Sequence, residues 1–290
     1  MKINGKTRLL GLIGNPVEHT LSPVIHNRLS ELKGQNVVYV PFLVEKGGIE
    51  YAVKGAYELN ILGTNVTVPY KEQVIENLIE IDELAKKIGA VNTLVRIEGG
   101  YKGYNTDALG FKRELQSLGV HYKGEKVIVL GAGGASRAVV FLLAQEGANE
   151  IYLLNRTMEK AELIAQEVNE TMGKQVVIAK PLSEYHQLPD HQYLAIQCTS
   201  IGLSPREEEC VIEDTDFYKK IHTGIDLIYK PFETKFMKMI TQSGGNAYNG
   251  LLMLLYQGVI AFELFTKVEV NEDEAKDVYA ILEKELHKNE

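Results

Sequence analysis

Short apolar runs alternate with stretches of helical spacing along this chain, and glycine, proline and asparagine mark the joints. Residues 8–13 read as an apolar strand that ends at the turn signal Gly14-Asn15-Pro16. Ser22-Pro23 then predicts a helix start, with Ser22 as N-cap and Pro23 at the first helical position. Residues 37–43 predict a second strand, 47–59 a helix and 63–68 a third strand, followed by a helical stretch after Pro69. Residues 91–98 and 100–104 predict a hairpin turning at Gly99-Gly100. A helix over 107–118 leads to a strand at 126–130, a glycine cluster at 131–134 and an apolar helix at 135–147. Strand 150–155 and helix 158–171 follow, then strands at 176–179, 193–198 and 223–226. The chain finishes with helices at 234–243, 250–266 and 271–287. Such alternation predicts an α/β protein. No internal repeat or low-complexity linker divides it, so the domain breaks are inferred from the position of the glycine cluster, near Asp107 and again near Gly245.

The segment Asn65-Val-Thr-Val-Pro-Tyr-Lys71 carries the first chemical signal. If the strand runs through it, Asn65, Thr67 and Lys71 share one face, while Val66, Val68 and Tyr70 share the buried one. An amide, a hydroxyl and an amine together can grip a small polyhydroxylated molecule, with the lysine available for proton transfer. An ordinary sheet with one wet face has the same pattern.

Residues 127–138, Val-Ile-Val-Leu-Gly-Ala-Gly-Gly-Ala-Ser-Arg-Ala, have strand, glycines and helix in the order of a dinucleotide fold. Gly131 suits the tight turn, Gly133 lets a diphosphate approach the backbone, and the helix N-terminus offers amide donors. At the end of the next strand an NAD site would carry an acidic residue for the ribose hydroxyl. This chain has Asn155-Arg156-Thr157 instead, which suits a 2′-phosphate, so NADP is the expected cofactor.

Composition narrows the setting. The 290 residues, 45% hydrophobic and 24% charged, are enough for about two domains with ordinary cores. A net charge of -8 argues against nucleic acid as a partner, since that needs a basic face. No apolar h-region follows Met1, and the longest apolar run is too short to span a bilayer. Cys198 and Cys210 have no metal-ligand spacing. A cytoplasmic enzyme acting on a small molecule, without a metal, is the expectation.

Three further segments carry polar groups. His19-Thr-Leu-Ser-Pro23 sets the hydroxyls of Thr20 and Ser22 at a helix start, Gly89-Ala-Val-Asn-Thr93 places Asn92 at an apolar strand beginning, and Gly103-Tyr-Asn-Thr-Asp107 ends in a carboxylate. Each one alone also reads as a helix cap or a turn amide. Together with Gly14-Asn-Pro16, the glycine cluster, Cys198-Thr-Ser-Ile-Gly202, Asp226-Leu-Ile-Tyr229 and Asn249-Gly-Leu-Leu-Met-Leu-Leu-Tyr-Gln257, they closely resemble the shikimate dehydrogenase family almost end to end.

The resemblance implies a reversible NADPH-dependent reduction of 3-dehydroshikimate to shikimate, in aromatic amino-acid biosynthesis. It implies Lys71 and Asp107 as the catalytic pair, with Thr20 and Ser22 on the substrate carboxylate. Thr67, Asn92, Asp107 and Gln257 would bind the ring hydroxyls, with Tyr229 nearby. Gly131, Ala132, Gly133, Gly134 and Ala135 would cradle the diphosphate of NADP(H), and Asn155, Arg156 and Thr157 the ribose phosphate. Leu227 and Gly250 would lie by the nicotinamide. It also implies a substrate-binding domain over 1–107, a Rossmann-type NADP-binding domain over 108–245, and C-terminal helices over 246–290 returning to the first, in a monomer or homodimer. The chain departs from the family pattern at Thr20 (usually serine), Gln197-Cys198 (Asn-Ala), Leu227 (methionine) and Asn249 (aspartate). These departures bear on ring-substituent preference. Two other readings compete: a quinate or dual-substrate dehydrogenase using NAD, and a catalytically silent NADP-binding regulator.

Overall fold

The apolar strand at the N-terminus is buried along most of its length because another strand flanks it on each side. In the computed structural model, which describes residues 3–287, the first elements are β1 (Arg8–Gly14), α1 (Ser22–Leu32), β2 (Val37–Leu43), α2 (Ile49–Glu58) and β3 (Gly63–Val66). They are followed by a 3-10 turn (Gln73–Asn77), β4 (Glu80–Ile81), α3 (Glu83–Ile88), β5 (Thr93–Ile97), β6 (Gly100–Tyr104) and α4 (Thr106–Ser117). Then come β7 (Lys126–Leu130), α5 (Gly134–Gln145), β8 (Glu150–Asn155), α6 (Met158–Met172), β9 (Val177–Pro181) and a second 3-10 turn (Leu182–Gln187). The remainder is β10 (Tyr193–Gln197), α7 (Thr215–Tyr218), β11 (Ile221–Asp226), α8 (Lys235–Gln242), β12 (Asn246–Asn249), α9 (Leu251–Thr266) and α10 (Glu272–His287).

The chain forms two compact units, one from residues up to Gly110 and from Leu254 onward, the other Phe111–Met253. In the first unit the sheet order is β2-β1-β3-β5-β6-β4. β1 pairs in parallel with β2 and β3, while β5 runs antiparallel to β3 and β6. Ile13, Val66, Tyr70, Val74, Val91 and Leu94 fill the core on one side. α9 is apolar nearly all round and so is buried, with Val259 and Phe262 fully covered. A side chain on Gly63 would lie 2.3 Å from the Phe265 ring, and one on Gly258 would lie 3.0 Å from Ile25. These two glycines let α9 settle on the strands and on α1.

The second unit has the order β12-β11-β10-β7-β8-β9, and every pairing is parallel. Val127, Ile128, Val129 and Leu130 are fully buried, as expected of a central strand covered on both faces. The α/β class with a parallel nucleotide-type sheet is therefore as predicted.

Three expectations need correction. The strand predicted over 63–68 stops at Val66, and Val68, assigned to the buried face, is 64% exposed. Pro69 offers no N–H to a ladder. The chain turns instead toward the end of β1, where Thr67 N–H bonds Ile13 O and Val68 O accepts from Asn15. Asn65, within β3 and paired with Leu12 and Thr93, is buried and does not lie displayed beside Thr67. Ser22 is not an N-cap: Leu21 holds that place without a side-chain bond, and Ser22 is already helical. The short β4, α7 and β12 were not foreseen; elements of two to four residues carry too little pattern.

Glu114 on α4 is fully buried, and neither carboxyl oxygen has a hydrogen-bond partner. Burial pushes its pKa up to about 8. The folded state therefore keeps a proton that the unfolded state has released between about 4.5 and about 8. Stability falls as pH rises through that window and levels off above it. Glu114→Gln should remove this dependence, so that unfolding temperatures of parent and variant diverge with rising pH. Parallel curves would show that the carboxyl imposes no such burden.

Candidate active site

Lys71 and Asp107 form an ion pair, with Nζ 2.7 Å from Oδ2 and the side chains 18% and 10% exposed. The main chain around Lys71 is held from several sides. Tyr70 is buried and its hydroxyl donates to Val44 O at 2.6 Å, while Lys71 O accepts from Val91 N–H at 2.8 Å. Asp107 stands on the first turn of α4, a helix whose start is capped by Asn105, which accepts from Ala108 N–H.

The buried amide of Asn92 joins these parts. Its Nδ2 donates to Asp107 Oδ1 at 2.8 Å and to Thr106 Oγ1 at 3.0 Å. Its Oδ1 accepts from Thr106 N–H at 2.7 Å and from Thr93 Oγ1 at 3.1 Å. Both amide hydrogens are thus committed within the protein. The carboxylate is fixed by an amide on one oxygen and by the ammonium on the other, which leaves the ammonium oriented and able to deliver a further proton outward.

Topology explains why distant segments meet here. Thr20 and Ser22 follow β1, and Thr67 and Lys71 follow β3, so both pairs lie beyond the carboxyl ends of adjacent parallel strands. The register Asn65↔Thr93 and Thr93↔Tyr104 brings Asn92 and Asp107 to the same sheet end. Ends of this kind are where α/β sheets bind ligands. Thr20 Oγ1 donates to Ser22 Oγ at 3.1 Å and accepts from Ser22 N–H at 3.2 Å, so the two hydroxyls face each other. A side chain on Gly14 would come within 2.3 Å of the Thr67 methyl, which shows how closely Thr67 is seated. Gln257 belongs to the same unit, but its Nε2 folds back to Leu254 O at 2.8 Å.

In the second unit Gly131 has φ +103, a value that favours glycine, and an added side chain would lie 2.8 Å from the Thr199 methyl. Nothing stands within 4 Å of where a Gly133 side chain would be. That open space lies at the N-terminus of α5, where Gly134 and Ala135 begin the helix. A cavity of about 360 Å³ runs from Gly131, Ala132 and Gly133 to Asn155, Arg156 and Thr157, with no carboxylate in its lining. Asn155 Nδ2 donates to Thr157 O at 2.8 Å and shapes this turn. Lys160 also lines the cavity, and sequence reasoning missed it. The available signal was its place on the first turn of α6, just beyond the Thr157 N-cap and so close to Arg156. Open backbone at a helix N-terminus together with two cations fits a dinucleotide bearing an extra phosphate.

Comparison with known proteins decides the lineage. Family models described as shikimate dehydrogenase substrate binding domain, shikimate / quinate 5-dehydrogenase and shikimate 5'-dehydrogenase C-terminal domain match residues 12–94, 113–209 and 250–278. A curated shikimate dehydrogenase (NADP(+)) of Halothermothrix orenii is 41% identical, covering 92% of this chain and 93% of its own. The chain belongs to the shikimate dehydrogenase family. Among solved structures, a shikimate dehydrogenase in complex with NADP+ superposes with a TM-score of 0.88 at 38% identity, covering 97% of each chain. A quinate dehydrogenase from Corynebacterium glutamicum in complex with NAD gives 0.85 at 27% identity, covering 95% of this chain and 99% of its own.

The positions where this chain departs from the family pattern have local partners. Gln197 uses its longer amide to close the turn after β10: Nε2 donates to Ile201 O at 3.0 Å and Oε1 accepts from Thr199 N–H. Asn249 donates to Phe232 O at 3.0 Å and accepts from Leu251 N–H at the start of α9. Leu227 and Gly250 touch through their backbones, and a side chain on Gly250 would lie 2.4 Å from Leu227 O. The loop that holds Leu227 and the half-buried Tyr229 is pinned by Asp226, which accepts from Ile228 N–H at 3.0 Å and Thr234 Oγ1 at 2.6 Å. Burial pushes Asp226 up to about 7, with those donors acting in the opposite sense.

Asn92→Ala should strand Thr106 N–H and one oxygen of Asp107 in a buried setting. A loss of about 2–4 kcal/mol is expected, read as a lower midpoint of urea unfolding. A loss under about 1 kcal/mol would show that water replaces the amide.

Proposed function

We propose that this protein is an NADP-dependent shikimate dehydrogenase, reversibly reducing 3-dehydroshikimate to shikimate in aromatic amino-acid biosynthesis. The observation that carries the reading is the Lys71–Asp107 pair, 2.7 Å apart and tied to a buried amide, in a member of this family. Bound NADPH supplies the hydride and needs no metal. As the carbonyl oxygen gains negative charge, the Lys71 ammonium stabilises it and gives up a proton; in the oxidative direction Lys71 takes that proton back. Asp107 keeps the ammonium aimed and accepts from a neighbouring ring hydroxyl.

Thr20 and Ser22 hold the substrate carboxylate, exchanging their mutual hydrogen bond for bonds to it. Thr67 meets a ring hydroxyl, Gln257 does the same by trading its bond to Leu254 O, and Asn92 by trading its bond to Thr106 Oγ1 while keeping that to Asp107. Tyr229 is a further substrate contact. Gly131, Ala132, Gly133, Gly134 and Ala135 cradle the diphosphate. Asn155, Arg156 and Thr157, joined by Lys160, take the 2′-phosphate, and Leu227 and Gly250 neighbour the nicotinamide. Residues 1–107 with the helices of 246–290 serve the substrate, and 108–245 the cofactor. No helix among the described residues is long and apolar enough to cross a membrane. We place the enzyme in the cytoplasm, as a monomer or homodimer.

Steady-state turnover of shikimate and quinate with NADP+ and NAD+ tests the assignment; faster oxidation of quinate with NAD+ would overturn it. In the same assay Arg156→Ala should raise KM for NADP+ and leave that for NAD+ unchanged. Equal losses with both cofactors would make the arginine structural. Lys71→Met should lower kcat by about 10² to 10⁴ with cofactor binding intact. A variant that keeps most of its turnover would remove the lysine from the mechanism.

A further inference from the structure

Tyr39 on β2 lies in the first unit and is 1% exposed. Two neighbouring residues of α1 hold it. Asn27 brackets its main chain, with Nδ2 donating to Tyr39 O at 3.1 Å and Oδ1 accepting from Tyr39 N–H at 2.8 Å. The His26 ring stacks flat on the phenol, centroids 4.1 Å apart and planes parallel. His26 is fully buried, neither ring nitrogen has a hydrogen-bond partner, and burial pushes its pKa down to about 3. It is therefore a neutral slab against which the phenol is held, and no titration of it takes part.

The hydroxyl at the other end of that ring has one direction to donate. It reaches Asn65 Oδ1 at 2.8 Å, with the Ser22 side chain beside it. A carboxamide can be seated in two ways, exchanging its oxygen and nitrogen. With Oδ1 accepting from Tyr39, Asn65 Nδ2 must face the other way, and it donates to Asn92 O at 3.2 Å and Thr93 Oγ1 at 3.0 Å. Thr93 Oγ1 then donates to Asn92 Oδ1 at 3.1 Å, and Asn92 Nδ2 donates to Asp107 Oδ1 at 2.8 Å. Every donor in this series points toward the carboxylate that holds Lys71. Aligned donors polarise one another, most of all in a buried setting and when they end on a negative charge.

We infer that Tyr39 is a positioning residue for the reaction: its buried hydroxyl sets the amide of Asn65 and, through Thr93 and Asn92, the placement of Asp107 and Lys71. It touches no reacting atom. The inference rests on reading Lys71 and Asp107 as the catalytic pair. If the hydroxyl is removed, Asn65 is free to turn over, the series loses its direction, and the pair loosens without leaving the site. Chemistry should suffer more than binding, because small misplacements of a reacting group act on the transition state.

The test is Tyr39→Phe, which keeps the ring and its stack, assayed with shikimate and NADP+. A fall in kcat of about 5- to 20-fold is expected, the worth of roughly one hydrogen bond. With kcat counted per folded enzyme, by titrating NADP+ binding sites, KM for NADP+ and for shikimate should stay within about twofold of the parent; loss of folded protein alone would lower the number of sites and leave the turnover per site unchanged. Combined with Asn65→Ala, the double variant should be no slower than the slower single one, since both break the same series. Parent-like kcat in Tyr39→Phe, or single losses that multiply in the double variant, would overturn the inference. Should Tyr39→Phe not fold at the assay temperature, Asn65→Ala alone decides, because it leaves the ring stack in place. It must show the same loss in kcat with KM for NADP+ unchanged, and parent-like kcat there overturns the inference too. Lys71→Met separates the two levels of argument. If that variant is active, the catalytic reading itself fails; if it is inactive while Tyr39→Phe is parent-like, only the role of Tyr39 fails.

Discussion

The Asn92 amide, 3% exposed, is the interaction on which the first unit's polar site depends. Burying a carboxamide is costly unless its donors and acceptor are met. Here both hydrogens and the oxygen are engaged, by Asp107, Thr106 and Thr93. Those partners come from the start of β5 and the start of α4, while Asn65 on β3 donates to the Asn92 main chain. One side chain thus obliges segments separated by tens of residues to adopt a single arrangement. The same low-dielectric setting that strengthens these bonds makes partial satisfaction unfavourable. The bonds of the site therefore support one another. Lys71 arrives on this frame already oriented, and that is what a proton donor needs.

Much of this was legible in the sequence, and the reasons are physical. The observed limits of the strands 126–130 and 150–155 match the sequence pattern, because each has an apolar run bounded by polar residues or turn signals, Gly131 after the first and Asn155-Arg156 at the end of the second. The hairpin of β5 and β6 was announced by Gly99, which sits at φ +82. Residues 63–71 misled because alternation of residue type continued past the point where the ladder stops. Val68 looks like a core residue and is exposed, while Asn65 looks like a site residue and is buried. Periodicity reports the faces of a strand; it does not report where hydrogen bonding ends. Ser22 misled in a related way, since Ser-Pro is the pattern of a cap, yet the helix begins one residue earlier than a cap would require.

What the sequence left out has a common character. Lys160 is an ordinary polar position on a surface helix until the fold turns it toward the cavity beside Arg156. The hydroxyl of Tyr39 is hidden within a β2 pattern that reads as core, and its chemistry exists only through Asn65. Both depend on which side chains the packing brings within about 3 Å, and one-dimensional spacing does not encode that. The departures from the family pattern tell the same story. Gln197 makes bonds its length allows, and Asn249 donates with an N–H that an aspartate lacks, so each departure is met by a local partner.

The distribution of charge follows from the same logic. The chain carries a net charge of -8, while the proposed substrate and cofactor are both anions. Long-range attraction cannot recruit them, so positive charge has to stand where the ligand's charge sits. Arg156 and Lys160 are proposed to do this, in a cavity with no carboxylate in its lining. The carboxylate of the substrate is assigned instead to two neutral hydroxyls, Thr20 and Ser22, which satisfy each other when alone. Uncharged donors of this kind cost little to uncover, because one hydrogen bond replaces another of similar strength. They also leave Lys71 as the cation with a proposed part in the chemistry. A second ammonium or guanidinium beside it would compete for Asp107 and blur the orientation that Asn92 and Asp107 impose.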